Sequence, residues 1–404
     1  MNRSCAGRAL LILFIVATHA AHAQQPQPQQ ARARGSKGEG VPNFTVRAGY
    51  RVDLVAENLG EARFIEFSDK GVLFVSQPRT GVILALTDAD NDGKYDKPAK
   101  FVTAKPSVHC MDWHEGWLYF TQAINGSVSK ARDGNGDGVA DEVVEVLPAK
   151  TFPQGVGHPF RAILLTDDAM YVGVSDPANL TEDVNAETKR IYRFATSTNE
   201  KSVFASGIRN AMKLRVRPGT GEIWGCDQGA DGFGKKFGDE RGNQPITDLN
   251  PPEELNHYVL GGFYGHPYIV GNRVPRPEFA DRPDVRDHAA KTIPPAWSFP
   301  AHWEPEGFTF IEKNYFSNHT GDMFVAFHGP MSSSTEERVG CRVERILFDA
   351  TTGKPYGTLT IVNCLTPDGT AALGRPVDCV EAPDGAILFS CDQTRRIYRI
   401  SRPG

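Results

Sequence analysis

Short runs with apolar residues at alternate positions recur along the chain, each opened by a turn and closed by a polar residue. They are "GVLFVSQ" from residue 71, "GWLYFTQ" from 116, "AMYVGVSD" from 169, "GEIWGCDQG" from 221, "GDMFVAFHG" from 321 and "GAILFSCDQ" from 385. A period of two is the signature of a half-buried strand. Most runs follow another short strand, as in "RFIEFSDKG", "FRAILLTDD" and "VDCVEAPDG", and several precede a third, as in "GVILALTD" and "RRIYRISR". One unit repeated six times, about 45 to 55 residues apart where nothing intervenes, predicts an all-β fold, a six-bladed β-propeller with four-stranded blades. A Gly- and Pro-rich stretch from 229 to 300 predicts a long insertion between blades 4 and 5. The early strand in "YRVDLVAENL" has no hairpin ahead of it, so it is expected to complete the last blade and close the ring.

Composition adds boundaries. Residues 1–23 place Arg3 and Arg8 before an apolar run and end on Ala21-His22-Ala23, the pattern of a cleavable signal peptide. Residues 24–45, rich in Gln, Pro and Arg at their start, are expected to be a flexible leader, and 46–404 the propeller. No later segment has the ~20 apolar residues of a membrane helix, so no membrane span is expected. Loss of the signal removes two arginines and no acid, moving the formal net charge from -5 to -7. A chain this acidic without a basic patch argues against nucleic acid as a partner. These features predict a periplasmic or secreted protein. Six cysteines remain after the signal, which permits disulfides; Cys379 and Cys391 flank the turn "PDGA" and are placed to face each other. No C-x-x-C-H motif for covalent haem is present.

Candidate chemistry gathers where strands of successive blades begin or end. His158 stands before the third blade's inner strand, Arg209 and Asn210 before the fourth's, and Arg375 before the sixth's; Asp227, Gln228, Gly229 and His328 stand at strand exits. A histidine suits proton abstraction at neutral pH, and a guanidinium binds carboxylates or polarises a carbonyl.

With Gly-His at 157–158, Gly-x-Arg-Asn at 207–210, Gln-Gly at 228–229, "EELNHYVLGGFYGHP" at 253–267 and "GRPVDCVEAPDGAILF" at 374–389, the chain resembles the soluble pyrroloquinoline quinone (PQQ)-dependent sugar dehydrogenases of glucose, aldose and sorbosone type. The resemblance implies an exported quinoprotein that oxidises a sugar or polyol by hydride transfer to PQQ. It makes His158 the general base and Arg209 the electrophilic partner. It puts Asn210, His328 and Arg375 at the cofactor and assigns Gly229 and Ala230 to a cofactor-bound calcium. Electrons would pass to an external acceptor, a soluble cytochrome or quinone. The chain departs from the family at His328, where a lysine is usual, and at Val377, where an arginine is usual. These departures support the alternative, a non-catalytic carbohydrate- or partner-binding propeller with a degraded redox site. His302 and Trp303 are expected to meet the sugar.

Two further loops, "DADNDGKYD" at 88–96 and "DGNGDGVAD" at 133–141, space oxygen side chains like the first nine positions of an EF-hand loop. Asp88, Asp90, Asp92, Asp96, Asp133, Asn135, Asp137 and Asp141 are the expected calcium ligands, with a role in blade rigidity.

Overall fold

The computed structural model describes residues 34–95, 97–153, 158–182, 187–233, 246–330 and 338–403. The expected signal peptide, residues 24–33, the glycines flanking Val156 and Asp96 lie outside them. Residues from Arg34 onward form one compact unit, and no helix among the described residues is long and apolar enough to cross a membrane.

Six antiparallel sheets follow one another around an axis, each starting with an inner strand: Ile65–Phe67, Val108–His114, Ile163–Leu165, Ala211–Val216, Pro305–Phe310 and Pro376–Glu381. The second strand of five blades is buried along its whole length, as in Leu73–Gln77 and Met323–Phe327. The outer strand of blade 2, Glu142–Leu147, is exposed over its first four residues. Burial therefore falls from the axis outward, and inner-strand side chains of several blades meet in shared cores, such as Phe64, Cys110, Ile163, Met212 and Val377.

The early strand, Arg51–Ala56, pairs antiparallel with Arg396–Ser401 and closes the ring as expected. Part of the expected leader is not a free segment: Ser36–Lys37 pairs with Arg51–Ala56, and Thr45–Val46 with the outer strand of blade 5. Those pairings cover two sheet edges. The long excursion lies inside blade 4 and not between blades 4 and 5. Glu253–Tyr258 is the third strand of that blade and Trp297–Phe299 its fourth, while Gly262–Phe263 crosses to extend blade 3.

All six described cysteines are free thiols. A register shift between Pro376 and Cys379 sets Cys379 opposite Phe389 and Cys391 opposite Pro376, so the expected facing pair does not form.

Candidate active site

Where inner strands begin and second strands end, the axis widens into a cavity of about 430 Å³. His158, Arg209, Asn210, Gly229 and His302 all line it, with Arg63, Phe160, Asp231, Glu253, Glu304, Glu306 and Asp392. The histidine and the arginine expected to work together thus share one chamber.

The entrance to blade 4 is shaped by Asp227. Its buried carboxylate accepts the backbone amides of Arg209 (2.9 Å) and Asn210 (2.6 Å), and the strand bulges between Ala211 and Leu214. Burial pushes the Asp227 carboxyl up to about 6 against the pull of those amides. The Arg209 guanidinium is fixed by Asn179, through its carbonyl (3.0 Å) and Oδ1 (2.8 Å), and by the Gln228 carbonyl (3.3 Å). Asn210 donates to Gln228 Oε1 at 2.6 Å and accepts from Ser175 Oγ at 3.0 Å. These groups are preorganised.

His158 Nδ1 lies 3.0 Å from the Asp176 carbonyl. A carbonyl can only accept, so Nδ1 carries the proton and Nε2 keeps its lone pair. Burial, and then the charge of Arg209, lower the imidazole's affinity for a second proton. The segment supplying that carbonyl is pinned by the Asp176 carboxylate, which accepts from Ala178, Thr181 and His266 Nε2 at 2.7 to 3.0 Å. Although burial opposes it, His266 and those amides hold the Asp176 carboxyl well below the usual carboxylate range.

Several expected residues stand elsewhere. The Ala230 carbonyl accepts from Arg276 Nη1 at 3.2 Å; an oxygen facing a buried guanidinium is a poor calcium ligand. Gly229 does border the cavity, its amide 2.7 Å from Glu253 Oε2, and a Cβ there would lie 2.8 Å from Pro251. Trp303 is not among the described residues that line the axial cavity: the Arg342 guanidinium covers its ring at 4.2 Å and Phe327 packs edge-on at 5.3 Å. The aromatic surface in the chamber is Phe160, stacked on His109 at 3.8 Å. His302 Nδ1 sits 3.1 Å from Asp231 Oδ1.

His328 and Arg375 line an adjoining cavity of about 510 Å³ that shares Arg79 and Asp392 with the axial one. They touch the chamber through a chain of contacts. Arg375 Nη2 donates to His328 Nδ1 (2.9 Å), and His328 Nε2 lies 3.1 Å from Asp392, which pairs with Arg63 at 2.8 Å. Val377 is fully buried in the inner-strand core and presents no group to either cavity.

Of the two Asp loops, the first brings oxygens of Asp88, Asp90 and Asp92 within 4.8 Å of one another. In the second, Asp133 accepts the amides of Asn135, Gly136 and Gly138, and Asp141 accepts Gly134 and Asn135. Asp137 accepts Val139, and Asn135 Oδ1 accepts Asp137. The first loop is capped in the same way, Asp88 accepting the amides of Asp92 and Gly93, Asp90 that of Asp92 and Asp92 that of Lys94; among the described residues the difference is that three carboxylates gather in the first.

Reading strand ends for histidine and arginine missed Arg63, Asp231, Glu253, Glu304, Glu306 and Asp392. Two had a signal. Arg63 precedes its inner strand as Arg209 precedes its own, and Asp392-Gln393 repeats Asp227-Gln228 one blade pair later.

The TrAA12-like family matches residues 44–403, and the chain belongs to it. Its fold is similar to that of a Trichoderma reesei protein of carbohydrate-active enzyme family AA12, with a TM-score of 0.75 and 20% identity over 90% of this chain and 98% of the other. The holo PQQ domain of pyranose dehydrogenase from Coprinopsis cinerea follows, with a TM-score of 0.73 and 18% identity over 91% and 100%. The PQQ-bound aldose sugar dehydrogenase of Streptomyces coelicolor has a TM-score of 0.59 and 16% identity over 88% and 99%. An uncharacterized protein of Borreliella burgdorferi is 28% identical over 207 residues, 50% of this chain and 49% of its own. The chain therefore spans about half the length of that curated relative.

Proposed function

We propose that this protein is an exported, PQQ-dependent oxidoreductase acting on the CH–OH group of a sugar or polyol, with electrons delivered to a soluble cytochrome or quinone. The observation that carries this reading is the shared chamber of His158 and Arg209 in a chain of the TrAA12-like family. PQQ-bearing proteins among its fold relatives support it. Export rests on the N-terminal sequence pattern.

The residues present suit a flat, acidic cofactor. About 430 Å³ falls within the usual range of small-molecule pockets. Arg209 and Asn210 are fixed donors, and Phe160 and Met212 form an apolar wall. Arg63, paired with Glu306 and Asp392, adds a guanidinium from blade 1 where Val377 offers none from blade 6. Arg209, Asn210 and Arg63 would hold such an acid. A calcium ion would fall on the side of Gly229, Glu253 and Glu304, where, among the described residues, Glu253 has no ion pair and Glu304 meets only the His328 imidazole, at 4.0 Å. Bound there, the quinone supplies the two-electron acceptor for the hydride that leaves the carbinol carbon.

The chain's own residues do the acid–base and electrostatic work. His158 Nε2 accepts the substrate hydroxyl proton, and the Asp176 carbonyl holds the ring in the tautomer that leaves this nitrogen bare. Arg209, immobilised by Asn179 and Gln228, presents positive charge without reorganising. Titrating the apoprotein with PQQ and calcium tests the reading: stoichiometric uptake, seen by absorbance, and aldose-dependent dye reduction are expected. Absence of uptake would leave a carbohydrate- or partner-binding propeller.

A further inference from the structure

His266 belongs to the excursion inside blade 4 and to no strand end, yet it reaches the entrance segments of both His158 and Arg209. Its backbone amide donates to the Gly207 carbonyl at 3.0 Å, just ahead of Arg209. The packing there is close: a Cβ on Gly207 would lie 2.6 Å from the Phe263 ring and 2.8 Å from the Gly265 amide. On the other side, His266 Nε2 lies 2.7 Å from Asp176 Oδ2. Burial lowers the pKa of this imidazole to about 4, so at neutral pH the ring has one proton, and a carboxylate partner puts it on Nε2.

Asp176 opens a turn with a contact to each functional side chain. Its carbonyl meets His158 Nδ1 at 3.0 Å. Further along, Asn179 holds Arg209 through its carbonyl and Oδ1, at 3.0 and 2.8 Å. Asn179 also clasps Asp231, donating from Nδ2 to its carbonyl and accepting its amide at Oδ1, both at 2.9 Å. Residues 177–180 are exposed or half-buried, so polar contacts and not packing keep the turn in shape. The strongest of these run to the Asp176 carboxylate, where donors meet a full charge: two amides, the Thr181 hydroxyl and the His266 imidazole.

From this we infer that His266 is a positioning residue: by donating to Asp176 it locks the turn from Asp176 to Thr181, which holds His158 as its Nδ1–H tautomer and aims Arg209 into the chamber. What those two side chains do there rests on the proposed oxidoreductase reading; where they are held does not.

The test begins on apoprotein, with heteronuclear NMR of labelled histidine rings and the His158 signals identified from His158→Gln. The parent and His266→Gln, which keeps a donor for Asp176, are expected to show His158 protonated at Nδ1 and bare at Nε2. His266→Leu should show the two tautomers in exchange, and His266→Phe, which refills the volume of the ring, serves in its place should His266→Leu not fold. In PQQ-loaded protein His266→Leu should lower kcat for aldose-dependent dye reduction about tenfold, the worth of one hydrogen bond to a charged group, with little change in KM; His266→Gln should restore it. Asn179→Ala, at an exposed side chain, should keep the His158 tautomer and weaken PQQ uptake about tenfold.

An unchanged His158 tautomer in His266→Leu and His266→Phe would overturn the inference. So would an equal disturbance in His266→Gln, which would assign the effect to packing and not to the hydrogen bond. A tautomer that depends on His266 in a protein that takes up no PQQ and reduces no dye would instead sink the oxidoreductase reading and leave the positioning role standing.

Discussion

Two levels of the same channel use the same residue types to opposite ends. Below the cavity, Lys213 Nζ lies 2.7 Å from both oxygens of Asp378, with side-chain exposures of 2% and 0%. Arg215 joins Asp112 at 2.8 Å and also meets Glu66. The carboxylates there also cap neighbouring blades, Asp378 taking the amide of Ile65 and Asp112 that of Leu165. A Cβ on Gly307 would collide with Asp378, so glycine makes the room. Above, guanidinium, imidazole and carboxylate groups from blades 1, 3, 4, 5 and 6 border open volume. The lower level closes the ring with charge pairs, whereas the upper one keeps donors and acceptors for a guest.

The comparison breaks most visibly at Lys213. Lys213→Ala strands Asp378 as a buried, unpartnered charge, and losing one member of such a pair costs about 3–5 kcal/mol. The expected outcome is a large fall in the denaturation midpoint, measured in urea, with a partial return in Lys213→Ala/Asp378→Ala. Destabilisation under 1 kcal/mol would mean that the lower level is not the seal described.

At the upper level the same kind of change should spare the fold. His158→Ala is expected to lower kcat/KM of the PQQ-loaded protein by about 10²–10⁴, the range of a lost general base. Its melting temperature should stay close to that of the parent. Arg209→Lys keeps charge but loses the paired contacts to Asn179, so reduced PQQ uptake and slower turnover are expected together. A turnover loss matched by unfolding would erase the distinction between the levels.

The levels were unequally legible in the sequence. Blades and ring closure rest on local alternation, which every hairpin displays by itself. The third strand of blade 4, "EELNHY", lacks it, because Glu253, Glu254 and Asn256 are buried polar residues. It therefore read as insertion. His158 and Arg209 were visible because strand ends converge in any propeller. Trp303 and Ala230 misled because their surroundings are set by Arg342 and Arg276, 39 and 46 positions further along. No local pattern carries that information.

A milder way to sharpen the comparison is pH. Burial and the charge of Arg209 lower the His158 pKa below the ordinary histidine value of 6.5, so its base form persists into mildly acidic solution. Activity should rise with pH along an acid limb whose midpoint lies below 6.5, read from kcat/KM profiles. Removing the guanidinium charge with Arg209→Gln should move that limb upward in whatever activity remains. A midpoint above 6.5 in the parent would contradict a buried, cation-flanked imidazole.

The smallest effect belongs to the two Asp loops, which lie far from this channel in role. Both were expected to bind calcium, yet only the first gathers three carboxylates, Asp88, Asp90 and Asp92, within 4.8 Å. Both loops turn carboxylate oxygens toward their own backbone amides, and in the second those amides hold the Asp133 carboxyl below its ordinary range despite opposing desolvation. A ligand at ten times its Kd stabilises by about 1.4 kcal/mol, which for a chain of this size raises Tm by roughly 2 °C. Millimolar calcium should produce such a rise in differential scanning calorimetry. Asp90→Ala should abolish it, and Asp137→Ala should leave it intact. Equal sensitivity to the two substitutions would mean that calcium reorganises the second loop, displacing its amides, and that the difference between the loops is one of occupancy and not of design.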